Sequence, residues 1–416
     1  MKKFLFWITG CITMSFLLIF LQGCLKDRAT HTYTILRPIY QTKEAVKTNI
    51  KSNGPKTIES PGKIFIYGNY IFLNEGDKGV HIIDNTNTAN PVVKAFIDIP
   101  GNQDIAVKGN ILYADMYGDL VSIDITDPLN AKLLKDIPGV FPERNYQGGF
   151  VANDNMIIVG WVKKDTTVEV PLPPSKNYIA FAARDVQGPS LLYSSSAPTG
   201  IGGSLARFSI VNDYLYAVDH HSLRSVLISD ANNPKVAGTI SAGYDIETIY
   251  PLKDKLFLGS MGGLYIYDIT NPAAPVAKGN FIHARACDPV VADNNYAYVT
   301  LKAGTTCGPS NNELQIIDVK DVMAPSLLKA YAMTGPSGLS KDGTTLFICD
   351  GKDGLKIYNA SDYSNLNLIK QITDIVPVDV IAWNRNALVV TRDGLYQYDY
   401  SDLNNIHLSS KLTISK

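Results

Sequence analysis

Two features of the sequence predict an all-β fold, a β-propeller of four-stranded blades. An apolar run ending in a short polar residue returns about every 40 residues, the length of one blade. Its copies are Val80-His81-Ile82-Ile83-Asp84, Leu120-Val121-Ser122-Ile123-Asp124, Leu264-Tyr265-Ile266-Tyr267-Asp268, Leu314-Gln315-Ile316-Ile317-Asp318, Leu355-Lys356-Ile357-Tyr358-Asn359 and Leu395-Tyr396-Gln397-Tyr398-Asp399. Side chains in these runs alternate with period two, which excludes helical solenoids of similar repeat length. Composition agrees: 23 Tyr, 32 Gly and 22 Pro with only 19% charged residues suit strands joined by tight turns. Inner strands are expected near Lys63, Asp104, Gly149, Arg207, Thr248, Pro289, Gly338 and Val380, which makes eight blades. The third copy is the weakest, and seven is the alternative if it is decorative.

Taken in chain order, the first element is an export signal. Lys2 and Lys3 precede an apolar stretch over 4–20, followed by Leu21-Gln22-Gly23-Cys24. The run is interrupted by Thr9, Gly10, Thr13 and Ser15 and gives way to Lys26 and Arg28, which favours a cleaved signal peptide (1–23) over a spanning helix. The end of this segment resembles the bacterial lipobox, which implies cleavage before Cys24 and acylation of that cysteine, holding the chain at a membrane by lipid. Lys26-Asp27 resembles the short export signals of Bacteroidetes lipoproteins, which implies an outer-membrane lipoprotein facing the cell surface; a periplasm-facing one is the alternative. Residues 24–60 are polar and show no sustained period, so they read as a tether and lead-in.

From 61 to 416 each repeat has an apolar strand, an Asn or Asp turn, a strand rich in Tyr and Leu, a Gly turn, the run described above, and a fourth strand after a proline. Gly109-Asn110-Ile111-Leu112-Tyr113-Ala114-Asp115, Gly118, then Leu120 through Asp124 and Ile125-Thr126-Asp127-Pro128 is a clear copy. An irregular insertion interrupts the array near 171–204. The copies resemble LVIVD repeats, a propeller family of bacterial envelope proteins, and the resemblance implies the fold and an envelope setting without a chemistry. Closing the ring hides the sheet edges at its two ends.

Familiar catalytic motifs are missing: the sequence has no Gly-Lys-Ser/Thr phosphate loop, no His-Glu-x-x-His and no Gly-x-Ser-x-Gly. His220 and His221 are sequence neighbours, which on a strand point to opposite faces and make a poor ligand pair. The aspartates ending the third strands, at Asp84, Asp124, Asp230, Asp268, Asp318 and Asp399, recur in nearly every blade. Recurrence points to a turn-forming role through backbone N–H bonds. A less regular set sits where the chain leads into inner strands: Asp104, Asp245, Asp288 and Asp379, with Glu143, Arg144, Glu247 and Arg285 close by. Loops from distant blades meet on one rim there, so these charges would bind a divalent cation such as calcium, a sugar or a cationic peptide, unless they are a solvated ring of turns. Of the five cysteines, Cys11 leaves with the signal and Cys24 carries lipid. Cys287 and Cys307 flank adjacent strand ends and are expected to pair as a disulfide in an oxidising compartment, whereas Cys349 reads as a buried small hydrophobe.

A formal charge of -1 leaves no basic field for nucleic acid. The expected function is therefore a non-enzymatic binding or scaffold module of the envelope for a glycan, peptide or protein partner, with no cofactor. The alternative is a hydrolase or lactonase-like enzyme with a cation held in the propeller channel by the four rim aspartates.

Overall fold

A computed structural model describes residues 28–141, 155–171, 201–286, 289–304 and 311–414. It divides into two compact units, Met1–Ile39 with Trp161–Gln187, and Tyr40–Gly160 with Gly188–Lys416. The first contains most of a ribbon in which strand Arg28–Thr42 pairs with strand Met156–Pro171. Thr34 Oγ1 donates to Asp165 Oδ1 at 2.7 Å within it.

The second unit is a propeller of seven four-stranded meanders. In order, their inner strands are Pro61–Tyr67, Ile105–Lys108, Phe208–Val211, Ile246–Leu252, Val290–Ala292, Leu339–Asp342 and Pro377–Trp383. Neighbouring inner strands pack side by side, and Pro61–Tyr67 lies against strand Asn386–Thr391 of the last blade, closing the ring. The expectation of eight blades is corrected to the alternative of seven. The segment at 156–171 matches a blade in residue type, but it forms one long strand whose partner is Arg28–Thr42, so it never folds back into a meander.

The periodic runs become strands because each blade is covered on both faces by its neighbours. Second and third strands, such as Ile111–Met116 and Asp119–Asp124, are buried almost throughout, while outer strands alternate between half-buried and exposed. In six blades the third strand ends as expected in an Asx turn: Asp124 Oδ1 accepts from Thr126 N at 2.8 Å, Asp268 Oδ1 from Thr270 N at 2.9 Å and Asp399 Oδ1 from Ser401 N at 2.7 Å. Asn359 does the same for Ser361 N at 2.9 Å, which explains why that copy tolerates losing the acid. In the third blade Leu227 holds that place, and Asp230, expected there, caps the following turn instead by accepting from Asn232 N at 2.9 Å.

The turn that follows in each repeat joins the blades. The carbonyl of Ala231 accepts from Ser122 Oγ at 2.6 Å, that of Ala273 from Ser225 Oγ at 2.9 Å, and that of Thr88 from Ser410 Oγ at 2.6 Å. The last of these bonds crosses the seam between the seventh and first blades. Gln397 and Asn85 reinforce it with reciprocal amide bonds of 3.1 and 2.7 Å. All seven outer strands carry a β-bulge at equivalent places and at least one lysine, so the exposed edges are twisted and charged against pairing with other chains.

Part of the lead-in is built into the propeller. Thr42 caps helix Lys43–Asn49 by accepting from Ala45 N at 3.2 Å, and the helix and the residue after it bury Val46 and Ile50 against the first two blades. Strand Ser52–Asn53 then extends the first blade beside Phe96 and Ile97. Cys349 is a fully buried free thiol in the sixth blade, as expected. No helix among the described residues is long and apolar enough to cross a membrane.

Candidate functional site at the channel and rim

The channel end of the ring is built from the first residues of inner strands. Strand Ile201–Gly202 pairs with Ile66 and Phe65, so this segment lies on the channel side of the first blade. The chain then continues through Gly203, Ser204, Leu205 and Ala206, all buried. Ser204 Oγ accepts from Leu339 N of the sixth blade at 2.7 Å, and the carbonyl of Ala206 accepts from Ile249 N of the fourth at 2.6 Å. Residues 201–206 therefore bridge blades on opposite sides of the ring and occupy the channel at this level.

Asp104 and Asp379 both belong to this interior, not to a solvated rim. Asp104 is fully buried; its Oδ2 lies 2.6 Å from Lys63 Nζ and accepts from Arg207 N at 2.7 Å and Phe208 N at 3.2 Å. Lys63 is 2% exposed, so the ion pair is desolvated. Asp379, 3% exposed, accepts from Ser204 N and Ser204 Oγ, each at 3.3 Å on Oδ1, while its Oδ2 has no hydrogen-bond partner among the described residues. Burial pushes its pKa up to about 7, against the hydrogen bonds and the Lys63 charge that lower it. Its carboxyl is wedged between Gly203 and Gly338, where a β-carbon would fall 2.2 Å from Oδ2 and 2.0 Å from Oδ1.

The remaining rim residues lie apart from this cluster. Asp245 adopts a left-handed backbone (φ 52°), and its Oδ2 accepts from Arg285 Nη2 at 3.1 Å. Glu247 is half-buried at a bulge in its inner strand. Glu143, Arg144, Asp288, both members of the expected Cys287–Cys307 disulfide, and Cys24 lie outside the described residues, as does the insertion up to residue 200. His220 and His221 lie side by side at a turn with ring centroids 6.4 Å apart. No group of three or more metal-ligating side chains occurs among the described residues.

Sequence reasoning missed a second set of acids, at the ends of second strands. Asp115 Oδ1 accepts from Gln103 N at 3.0 Å and Asp104 N at 2.7 Å; Asp350 Oδ1 accepts from Thr334 N at 2.9 Å and Gly335 N at 2.8 Å. Glu75 occupies the register of Asp350, one place beyond that of Asp115, and bonds Glu59 N, Lys78 and His81. The signal was available: an acid closing the apolar second strand in three blades. These carboxylates hold the loops that lead into inner strands. Beside Glu75 a cleft of about 340 Å³ is floored by Phe96, and its lysines are already paired, Lys56 with Asp98 and Lys78 with Glu59 and Glu75.

Fold and site together define a seven-bladed propeller whose channel is crossed by its own chain at 201–206. Three segments, 61–98, 101–135 and 256–282, match the LVIVD repeat, corresponding to the first blade, the second, and most of the fourth. Among solved structures, a protein from Lactobacillus plantarum is similar with TM-score 0.55 at 14% identity, over 85% of this chain and 97% of that one. The periplasmic gluconolactonase PpgL of Pseudomonas aeruginosa is similar with TM-score 0.54 at 11% identity, over 86% and 97%. At such identities the likeness is one of fold. Curated proteins compared with the chain include no match.

Proposed function

We propose that this chain is a lipid-anchored binding module of the bacterial envelope, held at the outer membrane through Cys24 and presenting the propeller to a glycan, peptide or protein partner without transforming it. The observation that carries this reading is the segment 201–206 inside the channel. A cation-dependent hydrolase needs oxygen ligands converging on open space. Here Asp104 is bonded to Lys63 and two backbone amides, Asp379 is wedged against Gly203 and Gly338, and Asp245 faces Arg285. Each carboxylate is committed to a neighbour, and the contacts differ from blade to blade as structural joints do. The lactonase-like alternative draws on the fold likeness alone, and folds host many unrelated functions.

The deciding experiment is direct. The purified protein is incubated with glucono-1,5-lactone with and without added calcium, and acid release is followed against the spontaneous rate. No acceleration is expected. Turnover of at least about 10³ over background, abolished by Asp104→Asn, would overturn the binding reading.

A further inference from the structure

The rim between the third and fourth blades carries a side chain that nothing in the fold requires. Tyr244 is 68% exposed, yet the loop that projects it is braced by hydrogen bonds from both neighbouring blades. Ala242 N donates to the His221 carbonyl at 3.0 Å, Ile246 N to the His220 carbonyl at 3.2 Å, and Met261 N to the Asp245 carbonyl at 3.1 Å. Ser260 Oγ donates to the Tyr244 carbonyl itself at 2.8 Å. The backbone passes through positive φ on both sides of the tyrosine, 117° at Gly243 and 52° at Asp245. Left-handed backbone at a non-glycine residue is costly and persists where surrounding structure enforces it. Its effect here is to aim one aromatic ring at solvent and keep it there.

The surroundings of that ring are specific. The His221 ring packs against it with centroids 5.0 Å apart and a tilt of 41°, which backs the tyrosine on one side and leaves the rest of its ring to solvent. The next residue, Asp245, pairs with Arg285; among the described residues the guanidinium contacts Asp245 Oδ2 at 3.1 Å and Met261 Sδ at 3.7 Å, both through Nη2. The other N–H groups of Arg285 and the second oxygen of Asp245 form an adjacent donor and acceptor. Burial and the nearby Arg207 charge push the pKa of His220 down, so that ring is uncharged at neutral pH, and the Arg–Asp pair balances itself. An exposed aromatic face with a balanced donor–acceptor rim matches a sugar. The C–H face of a pyranose stacks on an electron-rich ring, and two neighbouring hydroxyls meet a guanidinium and a carboxylate together. A free anion would face the Asp245 carboxylate.

We propose that residues 242–245, with His221 and Arg285, form a subsite for a neutral oligosaccharide: one pyranose stacks on Tyr244 and bridges Asp245 and Arg285 through adjacent hydroxyls. This rests on the binding-module reading and names its ligand class. Sites of this kind use one flat aromatic as the anchor and a few polar groups for orientation. The braced loop removes the ordering cost that a mobile tyrosine would impose on binding.

The test titrates the full-length protein in detergent with cellohexaose, laminarihexaose, xylohexaose and mannohexaose, by calorimetry and by saturation-transfer NMR. At least one is expected to bind, with transfer to the sugar C–H protons. Tyr244→Ala should weaken that binding by about tenfold or more and Tyr244→Phe should leave it within about threefold, because the ring supplies the contact. Asp245→Asn, which tolerates the left-handed backbone, should weaken it by about fivefold or more while leaving the thermal midpoint unchanged. No binding of any of the four up to about 10 mM, or binding indifferent to Tyr244→Ala, would overturn the subsite. Sugar binding indifferent to Tyr244→Ala leaves the binding-module reading standing, whereas lactone turnover removes that reading whatever the sugars do.

Discussion

Asp104 and Asp379 carry the same side chain at equivalent places in two blades, and their neighbours give them opposite roles. Asp104 has an ammonium at 2.6 Å and backbone donors on both oxygens. Asp379 has weak donors on one oxygen and none on the other, so burial favours its neutral form and its pKa rises to about 7. In the unfolded chain it titrates near its ordinary 3.8. Between these values the folded state binds more proton than the unfolded state. The stabilisation is therefore full below about pH 4, falls as pH rises, and is gone above about pH 7, a change of roughly 4 kcal/mol at ~1.4 kcal/mol per pH unit. Glu75 behaves in the other sense. Burial raises it, but hydrogen bonds from His81 and Lys78 outweigh burial and bring it down to about 2, so its contribution is present above about pH 4.5 and lost on acidification. Denaturant melts across pH should show greatest stability on the mildly acidic side of neutral, near pH 4 to 5. Asp379→Asn should flatten the alkaline limb and match or exceed the native protein at pH 8. An unchanged alkaline slope in that variant would show that Asp379 is not the group responsible.

At the scale of the element, the chain leaving the third strand does two jobs. An acid or amide closes the Asx turn at the strand end, and a carbonyl of the turn that follows docks on the preceding blade. That docking requires space on the neighbour's outer strand. Gly238 provides it: a β-carbon there would fall 2.3 Å from the Ala273 carbonyl and 3.2 Å from Ser225 Oγ. Its backbone needs no left-handed conformation, so the constraint is steric alone. Gly238→Ala should destabilise by about 1–3 kcal/mol, while Gly54→Ala, where a β-carbon meets nothing within 4 Å, serves as the control and should be near neutral. Equal melting temperatures for the two would mean that the blade interface yields more readily than this close packing implies. The lysine and bulge in every outer strand belong to the same scale. They were visible in the sequence only as charges after a proline, because a bulge is defined by what the partner strand does.

For the whole molecule, the proposed lipid anchor at Cys24 is tested by its removal. Cys24→Ser should release the protein from membranes or leave an uncleaved precursor, read by fractionation and by labelling with a palmitate analogue. Retention at the membrane with a processed, unlabelled N-terminus would overturn lipidation. The binding reading depends on the ring as a unit: a channel crossed by the chain leaves the rim and outer faces to meet a partner, and Tyr244 is held on that rim by hydrogen bonds from two blades.

The blade repeat, its period and its turn chemistry were determined by sequence alone, because alternation and Asx-Pro turns are local properties that each copy states independently. The role of the third-strand aspartates was legible for the same reason. Blade number was not, since Met156–Pro171 has strand chemistry in either outcome and only its pairing with Arg28–Thr42 removes it from the ring. Nor was the fate of the rim acids. Asp104, Asp245 and Asp379 look alike along the chain, and what separates them is contributed from far away: Lys63 beside one, Arg285 beside another, and Gly203 with Gly338 closing on the third. Charge state and accessibility depend on neighbours that only the closed ring brings together.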